Sequence, residues 1–159
     1  MRRVSVLVLA TVLLGACSGR NSEQAFFDEV ASLSKEEAYA RAEAFAEKEK
    51  WEDARKYFSF LADSFPNDPL GRKASLRVAD SFFVRRDVES LTEAQLRYRD
   101  FANRFPSDPN RAYALLMLGK CYYEQGRGPG RDLTPVREAR AAFEQLIELF
   151  PDSPHAAEA

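Results

Sequence analysis

The 159-residue sequence predicts an all-α fold, a solenoid of about three helical hairpins over residues 35–159. Three observations predict it. Phe-Pro occurs three times, at Phe65-Pro66, Phe105-Pro106 and Phe150-Pro151, with the same residues around it each time. Before each proline stand alanine (Ala54, Ala94, Ala139), an aromatic (Phe58, Tyr98, Phe143) and then Leu61, Phe101 or Leu146, at steps of 4 and 3 residues. That spacing puts them on one face of a 3.6-residue helix. After each pair comes a second proline (Pro69, Pro109, Pro154), preceded by Asp68, Asp108 or Ser153. Proline ends one helix by removing an N–H, and a short polar residue beside a following proline starts the next. The unit is helix, proline corner, helix.

The elements follow in chain order. Met1-Arg2-Arg3 leads into an apolar run from Val4 to Leu14, the pattern of a secretory signal. The run is too short to cross a bilayer, which needs about 20 apolar residues. It ends Leu14-Gly15-Ala16-Cys17, which resembles the bacterial lipobox. The resemblance implies a signal peptide at 1–16, cleavage before Cys17 and acyl chains on Cys17, which anchor the protein in a membrane from the periplasmic side. Two or more chains make such an anchor stable. Ser18, where Asp retains lipoproteins in the inner membrane of some bacteria, points to the outer membrane. Residues 17–34 read as a lipidated tether ordered only in part.

From there the apolar spacing predicts helices over 35–48, 51–65, 69–84, 91–105, 109–125 and 135–150, with a seventh starting near Ser153. The second helices of the corners match too: Val78-Ala79 with Leu118-Gly119, and Phe82-Phe83 with Tyr122-Tyr123. The small residue marks a close helix crossing. The last repeat is incomplete, so helix 135–150 is expected to show Phe143, Leu146 and Phe150 to water, with marginal stability or self-association as the consequence.

The Ala-x3-Phe…Pro pattern resembles the tetratricopeptide repeat. The repeats here are longer, 40 residues from Pro66 to Pro106 and 45 from Pro106 to Pro151. The chain more specifically resembles the BamD family of outer-membrane assembly lipoproteins. Four stretches bear the likeness: Leu14–Cys17, Ala54–Pro66, Pro106–Gly119 and the Arg131-Asp132-Leu133-Thr134 connector running into Phe150–Pro154. That family usually has five repeats, so the chain is expected to be a truncated or a minimal member. The resemblance implies an outer-membrane lipoprotein, on the periplasmic face, that serves β-barrel assembly. Its expected partners are a BamA-like barrel subunit, whose contact lies in later repeats, and unfolded outer-membrane proteins, met by the early ones.

In tetratricopeptide repeats the first helix of each pair lines a concave groove. By register this implies a binding face of Tyr39 and Glu43, then Lys73, Leu76, Asp80, Phe83 and Val84, then Tyr113, Leu116, Lys120 and Tyr123. Aromatic and aliphatic side chains interleaved with single charges suit an extended peptide with an aromatic end. Phe83 and Tyr123 equally fit simple packing against the next helix pair.

Other function classes find little support. Without residues 1–16 the chain has 21 Lys+Arg against 25 Asp+Glu, a net charge of −4, which gives nucleic acid no basic footprint. His155 is the sole histidine, so no histidine-based metal site or catalytic triad can be built. Gly126–Arg131 lacks the strand and the Gly-Lys-Ser/Thr ending of a phosphate loop and reads as a connector. Cys121, mid-helix among apolar residues, reads as a small buried side chain. No enzyme and no cofactor are expected. The alternatives are a repeat lipoprotein of another envelope system, such as a Tol-Pal coordinator or a pilus or secretion pilotin, and a regulatory domain attached to an envelope enzyme.

Overall fold

A computed structural model describes residues 17–127 and 132–159, with side chains from Gln24 onward. The signal peptide expected at 1–16, lipidation of the Cys17 thiol and most of the Gly126–Arg131 connector lie outside the described residues. The chain divides into two units, 1–34 and 35–159. In the first, α1 spans Cys17–Ala31. The sequence predicts a partly ordered tether there. A proline-free run carries this helix, with a Gln24 Nε2–Asp28 Oδ1 bond of 3.0 Å one turn apart.

The second unit holds α2 (Lys35–Ala46), α3 (Trp51–Ser64), α4 (Pro69–Phe83), α5 (Val88–Arg104), α6 (Arg111–Gly126) and α7 (Thr134–Leu149). Each helix packs on its neighbours in sequence, and α2 also touches α4. The hairpins are therefore α2/α3, α4/α5 and α6/α7, as the repeats predict. Their repeated faces form the core: Ala54, Phe58 and Leu61, then Ala94, Tyr98 and Phe101, then Ala139 and Leu146 are all buried.

The corners are copies of one another at the level of single bonds. Phe65, Phe105 and Phe150 leave the helix with φ of −130°, −123° and −138°. Each donates its N–H to the carbonyl four residues back, at 3.0, 3.0 and 2.9 Å. Each then accepts from the N–H three residues on, at 3.0, 3.1 and 3.0 Å. The acceptor side chain at the corner takes the N–H two residues later: Asp68 from Leu70 at 2.8 Å, Asp108 from Asn110 at 2.9 Å and Ser153 Oγ from His155 at 3.2 Å. Proline and the short polar side chain together close the same turn three times.

Several boundaries differ from the sequence reading. α5 begins at Val88 rather than 91, because Asp87 accepts the N–H of Ser90 at 2.9 Å and caps the helix early. α6 begins at Arg111, so Asp108 closes the turn before the helix while Asn110 is the cap residue. No helix follows Ser153. Residues 151–158 form turns, with Ala156 N to Ser153 O at 2.9 Å and Glu158 N to His155 O at 3.2 Å.

The apolar face of α7 is not turned to water. Leu146 is fully buried, and Phe143 and Phe150 are partly buried against the core, because this face meets α6 as its counterparts meet their own partners. Gly119 makes the approach possible: a Cβ there would lie 2.3 Å from the Phe143 ring. The exposed apolar side chains of α7 are Val136, Ile147 and Leu149 on its other sides. Cys121 is buried, and burial pushes its thiol up to about 12.

Candidate binding face

The first helices α2, α4 and α6 present the residues that the repeat register selects, and tertiary packing sorts them into three groups. Leu76, Phe83 and Leu116 belong to the core, with 3 %, 8 % and 2 % exposure. They are unavailable to a ligand because they hold adjacent hairpins together. For Phe83 the packing alternative holds. Val84 and Tyr123 are exposed near the C-terminal ends of α4 and α6. Tyr123 is 54 % exposed.

The third group forms one polar network. Asp80, buried on α4, receives the Tyr98 hydroxyl at 2.6 Å and the Tyr113 hydroxyl at 2.7 Å, both on Oδ1. Its Oδ2 receives Arg77 Nη1 at 2.7 Å. The same guanidinium donates Nε and Nη2 to the two oxygens of Glu43 at 3.0 and 2.8 Å, a bidentate pair between α4 and α2. Arg77 also lies 5.4 Å from the Trp51 ring centre and 5.5 Å from that of Phe58. Lys73, one turn earlier, is exposed and stands 5.1 Å from the Tyr39 ring. At the other end, Lys120 pairs with Glu158, and Tyr113 faces His155 at 5.6 Å.

The electrostatics follow from this wiring. Burial pushes the Glu43 carboxyl up, and the Arg77 hydrogen bonds outweigh it, so its pKa ends below the usual range. Arg77 is held charged by its two carboxylates despite burial. Burial, with Asp80 beside them, drives the Tyr98 and Tyr113 hydroxyls far above the ordinary tyrosine value. Burial, with the Glu43 carboxylate beside it, does the same for Tyr39.

The sequence reading therefore names Tyr39, Glu43, Lys73, Asp80 and Tyr113 for this face and misses Arg77 and Tyr98. Arg77 was legible: it stands four residues after Lys73 and three before Asp80, on the same helical stripe. Tyr98 was not, because it comes from the second helix α5 and reads as core. Such an arrangement can bind and orient a chain. Its central acid, Asp80, accepts three hydrogen bonds, and Glu43 accepts two. Among the described residues no group of His, Cys, Asp and Glu is placed to hold a metal ion, and no helix is long and apolar enough to cross a membrane.

A stack of helical hairpins with one charged and aromatic face defines an all-α repeat protein. Residues 31–159 match the family model described as YfiO, outer membrane lipoprotein, and the chain belongs to that family. It is similar to outer membrane protein assembly factor BamD of Haemophilus influenzae, 23 % identical over 169 residues, covering 100 % of this chain and 61 % of that protein. It is 25 % identical to BamD of Neisseria gonorrhoeae, covering 100 % and 62 %. Against BamD of Caulobacter vibrioides the identity is 23 % over 156 residues, covering 98 % and 48 %. The chain thus spans about half to three fifths of the length of these relatives.

Proposed function

We propose that the protein is a non-catalytic lipoprotein subunit of the β-barrel assembly machinery, anchored through acyl chains on Cys17 to the periplasmic face of the outer membrane. The match of residues 31–159 to an outer-membrane lipoprotein family carries this reading, and the relatives are named as outer-membrane assembly factors. The α2/α4/α6 face supplies a physical means. Lys73 on the Tyr39 ring and the exposed Tyr123 offer a cation and aromatic surface to an extended chain, while the Asp80 network holds the three helices in register. Unfolded outer-membrane proteins fit that surface, and a BamA-like subunit is the partner in the same machine.

Depletion in the parent bacterium tests the reading. Outer-membrane barrel proteins are expected to fall while other lipoproteins persist; unchanged barrel levels overturn it. Substituting Cys17 by Ala is expected to move the protein from the membrane fraction to the soluble periplasm with the same melting behaviour.

A further inference from the structure

A separate cleft runs between the second helices α3 and α5, with α4 as its floor. Two adjoining cavities of about 520 and 560 Å³ share Ser59, Val78 and Arg97 and form one continuous groove. Phe82 lies in the floor beside Val78. Its ring has two guanidinium groups near it, Arg55 from α3 at 4.5 Å and Arg97 from α5 at 5.2 Å. Leu96, next to Arg97 on the groove wall, is 59 % exposed.

The cations of this groove are not equally compensated. Arg97 pairs with Glu93 at 2.7 Å, Lys56 with Asp53 at 3.0 Å and Arg104 with Asp100 at 3.1 Å. Arg55 pairs with no carboxylate among the described residues, and its Nη1 is sealed from solvent without an acceptor. The ring face returns only part of the hydration that the guanidinium has given up. Arg55 also lines the groove, where a carboxylate would meet a partly dehydrated cation and a planar donor set. The opposite end carries Asp63, beside Asp100 and its partner Arg104.

We infer that this cleft docks an extended segment of a partner protein, with an acidic residue on Arg55, an aliphatic side chain over Val78 and Leu96, and a basic residue towards Asp63. Arg55 and Asp63 lie eight positions apart on α3, about 12 Å at 1.5 Å per residue. Four extended residues at about 3.3 Å each cover that distance. The recessed floor favours a peptide over a flat lipid surface, and the charge difference between the ends sets its direction. This site shares no residue with the α2/α4/α6 face, so either can fail without the other.

Fluorescence anisotropy with defined peptides tests it, using the purified full chain. The probe is acetyl-Asp-Val-Thr-Leu-Lys-amide carrying a fluorophore, with the charge-reversed Lys-Val-Thr-Leu-Asp peptide as comparison. The first is expected to bind saturably, and the second about fivefold more weakly or worse. Arg55→Glu is expected to cost about tenfold or more in affinity, and Lys120→Glu, on the other face, to leave it unchanged. Leu96→Asp provides a second variant at an exposed position that does not endanger folding, and the same loss is expected. Equal binding of the two peptides, or full binding by folded Arg55→Glu and Leu96→Asp, overturns the inference. So does competition by phosphatidylglycerol vesicles that Arg55→Glu abolishes, since that outcome assigns the cleft to a membrane.

Discussion

Asp80 is the residue on which the first helices meet. One carboxylate collects two tyrosine hydroxyls and a guanidinium from three helices, and all of these groups lose water in doing so. Asp80→Ala leaves Arg77 with Glu43 alone and both hydroxyls enclosed without an acceptor. A buried pair broken from one side costs about 3–5 kcal/mol, and the same order is expected here from urea unfolding. Tyr98→Phe removes one bond and leaves Tyr113 and Arg77 on Asp80, so a loss of about 1 kcal/mol is expected. A near-neutral Asp80→Ala would show that the helices keep register without the network. The two glycines at close contacts rank in a similar way. A Cβ at Gly71 would lie 1.9 Å from the Phe65 carbonyl oxygen, which is backbone and cannot yield, whereas at Gly119 it meets a side chain. Gly71→Ala is therefore expected to lower the melting temperature further than Gly119→Ala, which should cost about 1–3 kcal/mol through displaced Phe143.

At the scale of elements, an ion-pair ladder ties each hairpin to the next corner. Lys35 on α2 reaches Asp68 at 2.5 Å, and Arg72 on α4 reaches Asp108 at 2.7 Å while standing 5.5 Å from the Phe105 ring. Arg111 on α6 repeats this against Phe150 at 5.9 Å, but the third corner carries Ser153 where the first two carry Asp68 and Asp108. Arg111 instead donates to the carbonyls of Ala102 and Pro106. Ser153→Asp is expected to complete the ladder and raise stability by up to about 1 kcal/mol, read as a shift of the denaturation midpoint. An unchanged midpoint would mean that the carbonyl bonds already satisfy Arg111. The sequence marks all three corners through proline, yet the ladder is invisible there, because its partners are more than thirty residues apart.

Over the whole molecule, pH acts from both ends. Glu43 and Asp108 have folded pKa values below their ordinary ones: in each, burial raises the value, and hydrogen bonds outweigh it, from Arg77 to Glu43 and from the Asn110 N–H and then Arg72 to Asp108. The unfolded chain then binds more protons near pH 4, so stability is full above the ordinary carboxylate values and drains as pH falls below them. Tyr39, Tyr98 and Tyr113 are shifted the other way, by burial first. Above about pH 10 the unfolded chain loses tyrosine protons that the folded one keeps, and stability falls as pH rises. Melting temperature against pH should thus show a plateau between these limits. Folded protein should ionise Tyr39, Tyr98 and Tyr113 only on unfolding, as read by tyrosinate absorbance. Early ionisation of all six tyrosines would contradict the network.

What the sequence determined by itself was everything that repeats or is local. Alanine, aromatic and leucine at helical steps dictate which faces pair, and proline beside a short polar residue dictates each corner, since both act within one turn of chain. The Leu14–Cys17 motif is equally local. Tertiary structure alone decided what lies across hairpins. It drew Leu76, Phe83 and Leu116 into the core, brought Tyr98 to Asp80, turned the α7 face onto Gly119 and left Arg55 without a carboxylate. The physical reason is that burial and charge pairing depend on which residues approach from other helices, and helical periodicity states a residue's direction on its own helix without saying what waits there.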